Sequence, residues 1–374
     1  MKILDKEKLS KSIEEIANYD LENNNIFGSS YCVLQSGNVV YKKHFGYSDA
    51  EGITPVSDKT LFRLASMTKP ITGVAMVILE ERGLISLDDP VKKYIPELEH
   101  IHVITSEGND LGETKTDVTI RHCLTHTSGF GNGDETSMTD KDRETIESTI
   151  RYFTKAGLCF EPATQSMYSG FGAFDLLGAV AQKVSGMDYG AFLKEAIFDP
   201  CGMTDTTFSP TEEQYSRIIT MHNKVDRKKE KGITYEGCVF EKIPYGHNLA
   251  GAGLVSSMND YVKFAGMLAS GGKCGDKQIL SKESVNNIST PCVPFSWAPD
   301  KESWGLSVRV VTSEKYEKLP VGCYGWSGAY GTHFWIDPEN EICAVFMKNS
   351  RFDGGAGTMS GQRFEIAVRD SLIE

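Results

Sequence analysis

The chain reads as an α/β protein of the α+β kind, in which an antiparallel sheet drawn from both chain ends carries flanking helices and a mostly helical insertion. Three observations predict this. Strand signals appear early, in Tyr31-Cys32-Val33-Leu34 and Val39-Val40-Tyr41. They return only late, over Leu306 to Val311, Gly331 to Asp337 and Ile342 to Lys348. Between them, from about Leu87 to Asn248, helical pieces alternate with long polar loops. Strands from both ends that share one sheet leave the middle as an insertion. The expected division is residues 1–86 with 249–374 as the sheet domain and 87–248 as the inserted helical domain, with a site in the cleft between them.

Each element has its own signal. Leu9, Ile13, Ile16 and Ala17 recur at helical steps and predict an amphipathic opening helix. Ser36-Gly37-Asn38 joins the first two strands as a β-hairpin. Met67, Ile71, Val74 and Ile78 mark one apolar face of a helix that begins at Ser66 and stops at Gly83, with Pro70 tolerated in its first turn. Leu176, Leu177, Val180, Ala181 and Val184 give the clearest helix of the middle region. A last helix runs from about Gln362 to Leu372 after the turn Gly354-Gly355-Ala356-Gly357. No internal repeat or low-complexity tract is present.

At 374 residues, with 40% hydrophobic and 24% charged residues, the composition is that of an ordinary globular protein able to bury a large core. The formal net charge of −12 and the absence of a basic stripe argue against a nucleic-acid partner. The densest positive run, Arg227-Lys228-Lys229-Glu230-Lys231, reads as a solvated loop. No apolar run approaches membrane-spanning length, and the charged start Met1-Lys2-Ile3-Leu4-Asp5-Lys6 lacks the apolar core of a signal peptide. Nine scattered cysteines without a Cys-x-x-Cys pair suit free thiols in a reducing cytoplasm. Oligomeric state is not legible.

The chemistry concentrates at Ser66-Met67-Thr68-Lys69. Residues three apart on a helix are neighbours, so Lys69 lies beside the Ser66 hydroxyl. The helix start also offers free N–H groups and positive potential to an oxyanion developing there. A serine, an amine to take its proton and an anion site are the parts of an acyl-transfer nucleophile. A second Ser-x-x-Lys, Ser270-Gly271-Gly272-Lys273, falls in a Gly-Gly turn with no following helix and reads as solvated loop.

Several segments resemble, in order, the serine β-lactamase and penicillin-binding-protein superfamily. The likeness is to its class C-like branch, which includes family VIII carboxylesterases and D-amino-acid peptidases. Leu61-Phe62-Arg63-Leu64-Ala65-Ser66-Met67-Thr68-Lys69 looks like that branch's nucleophile segment. Cys123-Leu124-Thr125-His126-Thr127-Ser128-Gly129 is similar to its Leu-Leu-Thr-His-Thr-Ser-Gly signature, and Tyr168-Ser169-Gly170 to its Tyr-x-Asn block. Phe198 to Met203, Gly251 to Ser257 and Gly325-Trp326-Ser327-Gly328-Ala329 match further blocks, the last resembling the inner-strand motif.

The resemblance implies a β-lactamase/transpeptidase-like fold and a serine hydrolase working through a Ser66 acyl-enzyme. Catalysis would fall to Ser66, Lys69 and Tyr168, with the backbone amides of Ser66 and Ala329 as oxyanion hole and Trp326, Ser327, Gly328 and Gly170 in contact with substrate. No cofactor or metal is implied. His122 and His126, near metal-ligand spacing around Cys123, take structural places at a helix end, and His333 a structural place on a strand.

Two departures from the pattern bear on specificity. Gly170 stands where the family has an amide, and Trp326 stands where penicillin-recognising members carry a lysine. A neutral tryptophan cannot attract the carboxylate of a β-lactam. The implied function is a carboxylesterase on small uncharged acyl esters, with an amidase or peptidase for D-amino acids, or a weak β-lactamase, as alternatives. A catalytically weak binding protein on the same fold is the non-enzyme alternative. A rival reading of Gly325 to Ala329 as an α/β-hydrolase nucleophile elbow fails on order, since His333 precedes Asp337.

Overall fold

Among the described residues eight strands form one antiparallel sheet, and the chain supplies them from both ends. The computed structural model describes residues 1–131, 138–222, 246–295, 297–355 and 357–373. Strands β1 (Gly28–Gln35) and β2 (Asn38–Gly46) form the early hairpin. Ser36 and Gly37 both take positive φ in its tight turn. The short β3 (Leu61–Arg63) pairs with β4 (Val255–Ser257) outside the main sheet. Then come β5 (Val293–Pro294), β6 (Glu302–Trp304), β7 (Arg309–Val311), β8 (Tyr324–Ser327), β9 (His333–Asp337) and β10 (Ile342–Lys348). The order across the sheet is β5-β6-β7-β8-β9-β10-β1-β2. The last strand lies against the first, with Phe346 opposite Tyr31, so the two chain ends share one ladder as expected.

Six helices position the site. They are α1 (Lys6–Glu22), α2 (Thr68–Glu81), α3 (Ile120–Leu124), α4 (Gly172–Ser185), α5 (Met258–Ala269) and α6 (Met359–Asp370). Side chains alternate across each strand. Tyr31, Val33, Ala344 and Phe346 pack into a core with Leu9, Ile13 and Ala17 of α1 and Phe364 and Val368 of α6. Cys32, Leu34, Cys343 and Val345 face the opposite core, which contains α5, α2 and α4. That second core runs without a break from the sheet into the helical middle of the chain.

Some elements differ in extent from the sequence reading. Helix α2 shows one periodic face in sequence, yet every residue from Thr68 to Leu79 is buried, because α4 and neighbouring segments cover it on several sides. Strand β7 starts at Arg309 rather than Leu306, since Ser307 adopts φ 66° and donates its amide to Leu124 O. Helix α6 starts three residues before the expected Gln362, where the Thr358 hydroxyl caps it by accepting from Gly361 N. A small hairpin of His102–Ile104 with Asp110–Glu113 carries no clear signal in sequence. The basic run at 227–231 lies outside the described residues. Among the described residues no helix is long and apolar enough to cross a membrane.

Candidate active site

Ser66 sits in a single 3₁₀ turn, Ala65–Met67, that runs directly into α2. From Leu64 to Leu79 it is the one residue not fully buried. The preceding Ala65 holds φ 46°, a left-handed conformation that costs a non-glycine residue about 1–2 kcal/mol. Such strain persists only where the surroundings over-determine it. Here they do. Leu64 N donates to Leu254 O, Leu254 N donates to Thr68 Oγ1 at 3.2 Å, and Tyr261 OH donates to Met67 O at 2.9 Å.

Lys69 follows one turn later and has no exposed surface. A buried ammonium is costly unless each N–H finds an acceptor. Its Nζ donates to Gly170 O at 2.6 Å, Gly251 O at 2.9 Å and Ser66 Oγ at 3.4 Å. It also lies over the Tyr168 and Phe174 rings, at 4.9 and 5.0 Å from their centroids. Gly170 thus meets Lys69 through its backbone carbonyl, where the family pattern places a side-chain amide. The other carbonyl is aimed by its neighbour Ala250, whose N–H donates to buried Asp175 Oδ1 at 3.1 Å and whose O accepts from Thr72 Oγ1 at 2.6 Å.

Tyr168 donates its hydroxyl to Ser66 Oγ at 2.7 Å and stands half-buried. Its ring is backed by His126, with centroids 4.7 Å apart. Burial holds His126 far below the usual imidazole range, and nearby Lys69 pushes it the same way. The neutral ring accepts from Ser169 N at Nδ1, 3.0 Å away, which fixes the residue next to Tyr168. His122 caps α3 by accepting from Thr119 N. Both histidines therefore serve the backbone. Among the described residues no group of three or more His, Cys, Asp or Glu side chains is placed to hold a metal ion.

Strand β8 delivers the remaining expected residues. Gly328 N donates to Thr332 O at 2.7 Å, and Thr332 Oγ1 donates to Leu64 O at 2.9 Å. A Cβ on Gly328 would fall 2.2 Å from Leu64 O, so only glycine lets β8 approach the segment that carries Ser66. The amide of Ala329, next along and exposed, donates to no acceptor among the described residues.

Two members of the substrate-contact set are placed differently from the expectation. Trp326 points to the Tyr168 side, with rings 5.5 Å apart, but Phe295 and Trp304 cover it and leave it 2% exposed. It is a floor beneath the site and not an open wall. Ser327 is turned to the other face of β8, as alternation along a strand requires. Its Oγ meets His333 Nδ1 at 2.7 Å, and His333 Nε2 meets Glu365 Oε1 at 3.1 Å. Arg309 and Tyr316 also hold Glu365, each at 2.7 Å. This serine–histidine–glutamate chain is buried throughout, and Ser327 leads into a turn and then β9, not into the helix that a nucleophile elbow needs.

The sequence reading missed the loop between β5 and β6. It carries Phe295 and Trp297, and Trp297 sits with its ring 5.5 Å from Tyr168. Their signal was an aromatic pair between Pro294 and Pro299, which has no helical or strand period to expose it. A small cavity of about 20 Å³ is lined by residues such as Arg63, Tyr215, Ile218, Leu254 and Tyr330, and Ser66, Lys69 and Tyr168 do not line it.

Comparison with known proteins finds relatives along nearly the whole chain. The curated relatives include protein Rv1367c of Mycobacterium tuberculosis, 28% identical over 90% of this chain and 88% of its own. Another is Esterase EstB of Burkholderia gladioli, 25% identical over 99% of this chain and 96% of its own. Among solved structures, EstCE1, described as a hydrolase with promiscuous acyltransferase activity, superposes with a TM-score of 0.82 at 23% identity over 98% of both chains. A family VIII carboxylesterase gives 0.79 at 20% over 97% of both, which shows a shared fold. The Beta-lactamase family model matches residues 13–367, and the chain belongs to that family.

Proposed function

We propose that this serine hydrolase is a carboxylesterase acting on small uncharged acyl esters through a Ser66 acyl-enzyme. The observation that carries the reading is the convergence of Tyr168 OH at 2.7 Å and Lys69 Nζ at 3.4 Å on one half-buried serine oxygen. Ser66 Oγ attacks the ester carbonyl, and its proton passes to Lys69 as the neutral amine, whose two N–H groups stay on Gly170 O and Gly251 O while its lone pair faces Ser66 Oγ. Tyr168, in hydrogen-bond reach of the same oxygen, relays the proton onward, and the Lys69 proton replaces the one it gives up. The oxyanion forms against the amides of Ser66 and Ala329. Tyr168 then protonates the leaving oxygen, the alcohol departs, and water resolves the ester by the reverse proton path. Gly170 and Gly328 act through backbone: one carbonyl holds Lys69, the other residue lets β8 approach.

Specificity rests on what is missing. Trp326 and Gly170 supply neither the cation nor the amide that a β-lactam uses, and an unmatched carboxylate in a dry site is costly. A short acyl chain gains by contact area, about 0.8 kcal/mol for each methylene it buries until the space is filled. EstB, similar along nearly its whole length, is by name an esterase. The proposal includes the division at 86/87 and 248/249 with the site between the parts. The free thiols among the described cysteines support a reducing compartment such as the cytoplasm. The test is a panel of acetyl, butyryl and octanoyl p-nitrophenyl esters, D-amino-acid amides and nitrocefin on one preparation. Acetyl and butyryl esters should be turned over, with nitrocefin weak or inert. Efficient nitrocefin hydrolysis with poorer esters would overturn the reading.

A further inference from the structure

Resting on the esterase reading above, we propose that Trp297 and Tyr168 form the subsite for the alcohol half of the ester, and that this subsite takes a flat aromatic alcohol. The leaving oxygen must sit within reach of the Tyr168 hydroxyl to receive its proton, so the group attached to that oxygen lies along the Tyr168 ring. Among the described residues four rings flank Tyr168: His126 at 4.7 Å, Trp297 and Trp326 at 5.5 Å, and Trp304 at 6.0 Å. Three of them are buried and have no face to offer. Trp297 is 59% exposed, so it alone among these four presents an indole face beside the proton donor.

Trp297 is also held in place. Its ring meets Phe295 edge-on at 5.1 Å and 83°. The loop beneath is closed by Phe295 N donating to Glu302 O at 2.9 Å and Ala298 N donating to Phe295 O at 3.1 Å. Phe295 is in turn packed on Trp304 at 4.7 Å, so the open indole stands on a buried aromatic base. A rigid aromatic face kept in water beside the reacting atoms gains most from a planar π-ligand, which buries area and adds a ring–ring contact beyond it.

The experiment fixes the acyl group as acetyl and varies the alcohol: ethyl, cyclohexylmethyl, benzyl and choline acetates, with native protein, Trp297→Ala and Trp297→Phe. Benzyl acetate should exceed cyclohexylmethyl acetate in kcat/KM by about fivefold or more, because the two differ in planarity and not in size. Trp297→Ala should lower the benzyl-to-ethyl ratio by about tenfold, chiefly through KM, and Trp297→Phe should restore most of it. Calorimetric binding of benzyl acetate to Ser66→Ala, with and without Trp297→Ala, reads the subsite without turnover. If no ester is hydrolysed, the esterase reading falls while this binding comparison still decides the subsite. Equal benzyl binding in the two variants, a preference for the cyclohexylmethyl ester, or a choline ester favoured by cation–π contact would overturn the proposal.

Discussion

Gly251→Ala is a perturbation whose cost can be worked out before the experiment. The carbonyl of Gly251 accepts from Lys69, and the carbonyl of Gly170 accepts beside it. An alanine methyl at 251 would fall 2.8 Å from Gly170 O and 3.2 Å from Lys69 Nζ. The first contact is with backbone and shorter than real Cβ contacts, so the carbonyl or the lysine must give by roughly half an ångström. Lys69 stands at 3.4 Å from Ser66 Oγ, the outer limit of a hydrogen bond, so any retreat breaks that contact. Misplacement on this scale costs on the order of 10- to 100-fold in rate. Overpacking should cost about 1–3 kcal/mol of stability, as is usual for an added methyl in a tight site. The assay is steady-state kcat on p-nitrophenyl acetate together with the urea midpoint. A variant with native kcat would refute the claim that these two carbonyls position the proton-handling lysine.

Two further outcomes follow from the same geometry. If Lys69 and Tyr168 act as one unit, Lys69→Ala, Tyr168→Phe and the double variant should lose activity to similar extents, and clean additivity in kcat/KM would contradict this. Glu365 is pulled to a pKa of about 2 against its own burial, by Arg309 first and then His333 and Tyr316, from an ordinary value of 4.5. A depressed carboxyl contributes stability that is present above pH 4.5 and lost as pH falls toward 2, here on the order of 3 kcal/mol. Burial raises neighbouring Glu302, which works in the opposite sense as it takes up its proton. Glu365→Gln should therefore flatten the fall in urea midpoint between pH 5 and 2, and an unchanged slope would rule this linkage out.

What sequence revealed and what it hid divide along physical lines. Ser66 and Lys69 were legible because one helical turn alone brings them together, and the β1–β2 hairpin because its turn residues carry the signal. Tyr168, about a hundred positions from Ser66, was reachable only through the family pattern. Gly170 looked like a lost amide, yet its backbone carbonyl fills the place at Lys69, and backbone direction is invisible in residue identity. Ser327 was assigned to the substrate side because motif order says nothing of which face a strand residue takes. His333 was read as structural, and the structure adds its partner Glu365, which lies on helix α6 and shares no motif with it. Trp297 reaches Tyr168 across a loop, a contact no local period encodes.

The proposed chemistry turns on one serine, Ser66. Mass spectrometry of the protein quenched during turnover of an acetyl ester, or after a fluorophosphonate probe, locates the covalent adduct directly. The adduct should sit on the peptide containing Ser66 and be absent in Ser66→Ala, whose kcat should fall by roughly a thousandfold or more with its fold intact. An adduct on Ser327, beside His333 and Glu365, or turnover by Ser66→Ala at a native rate, would contradict the central claim.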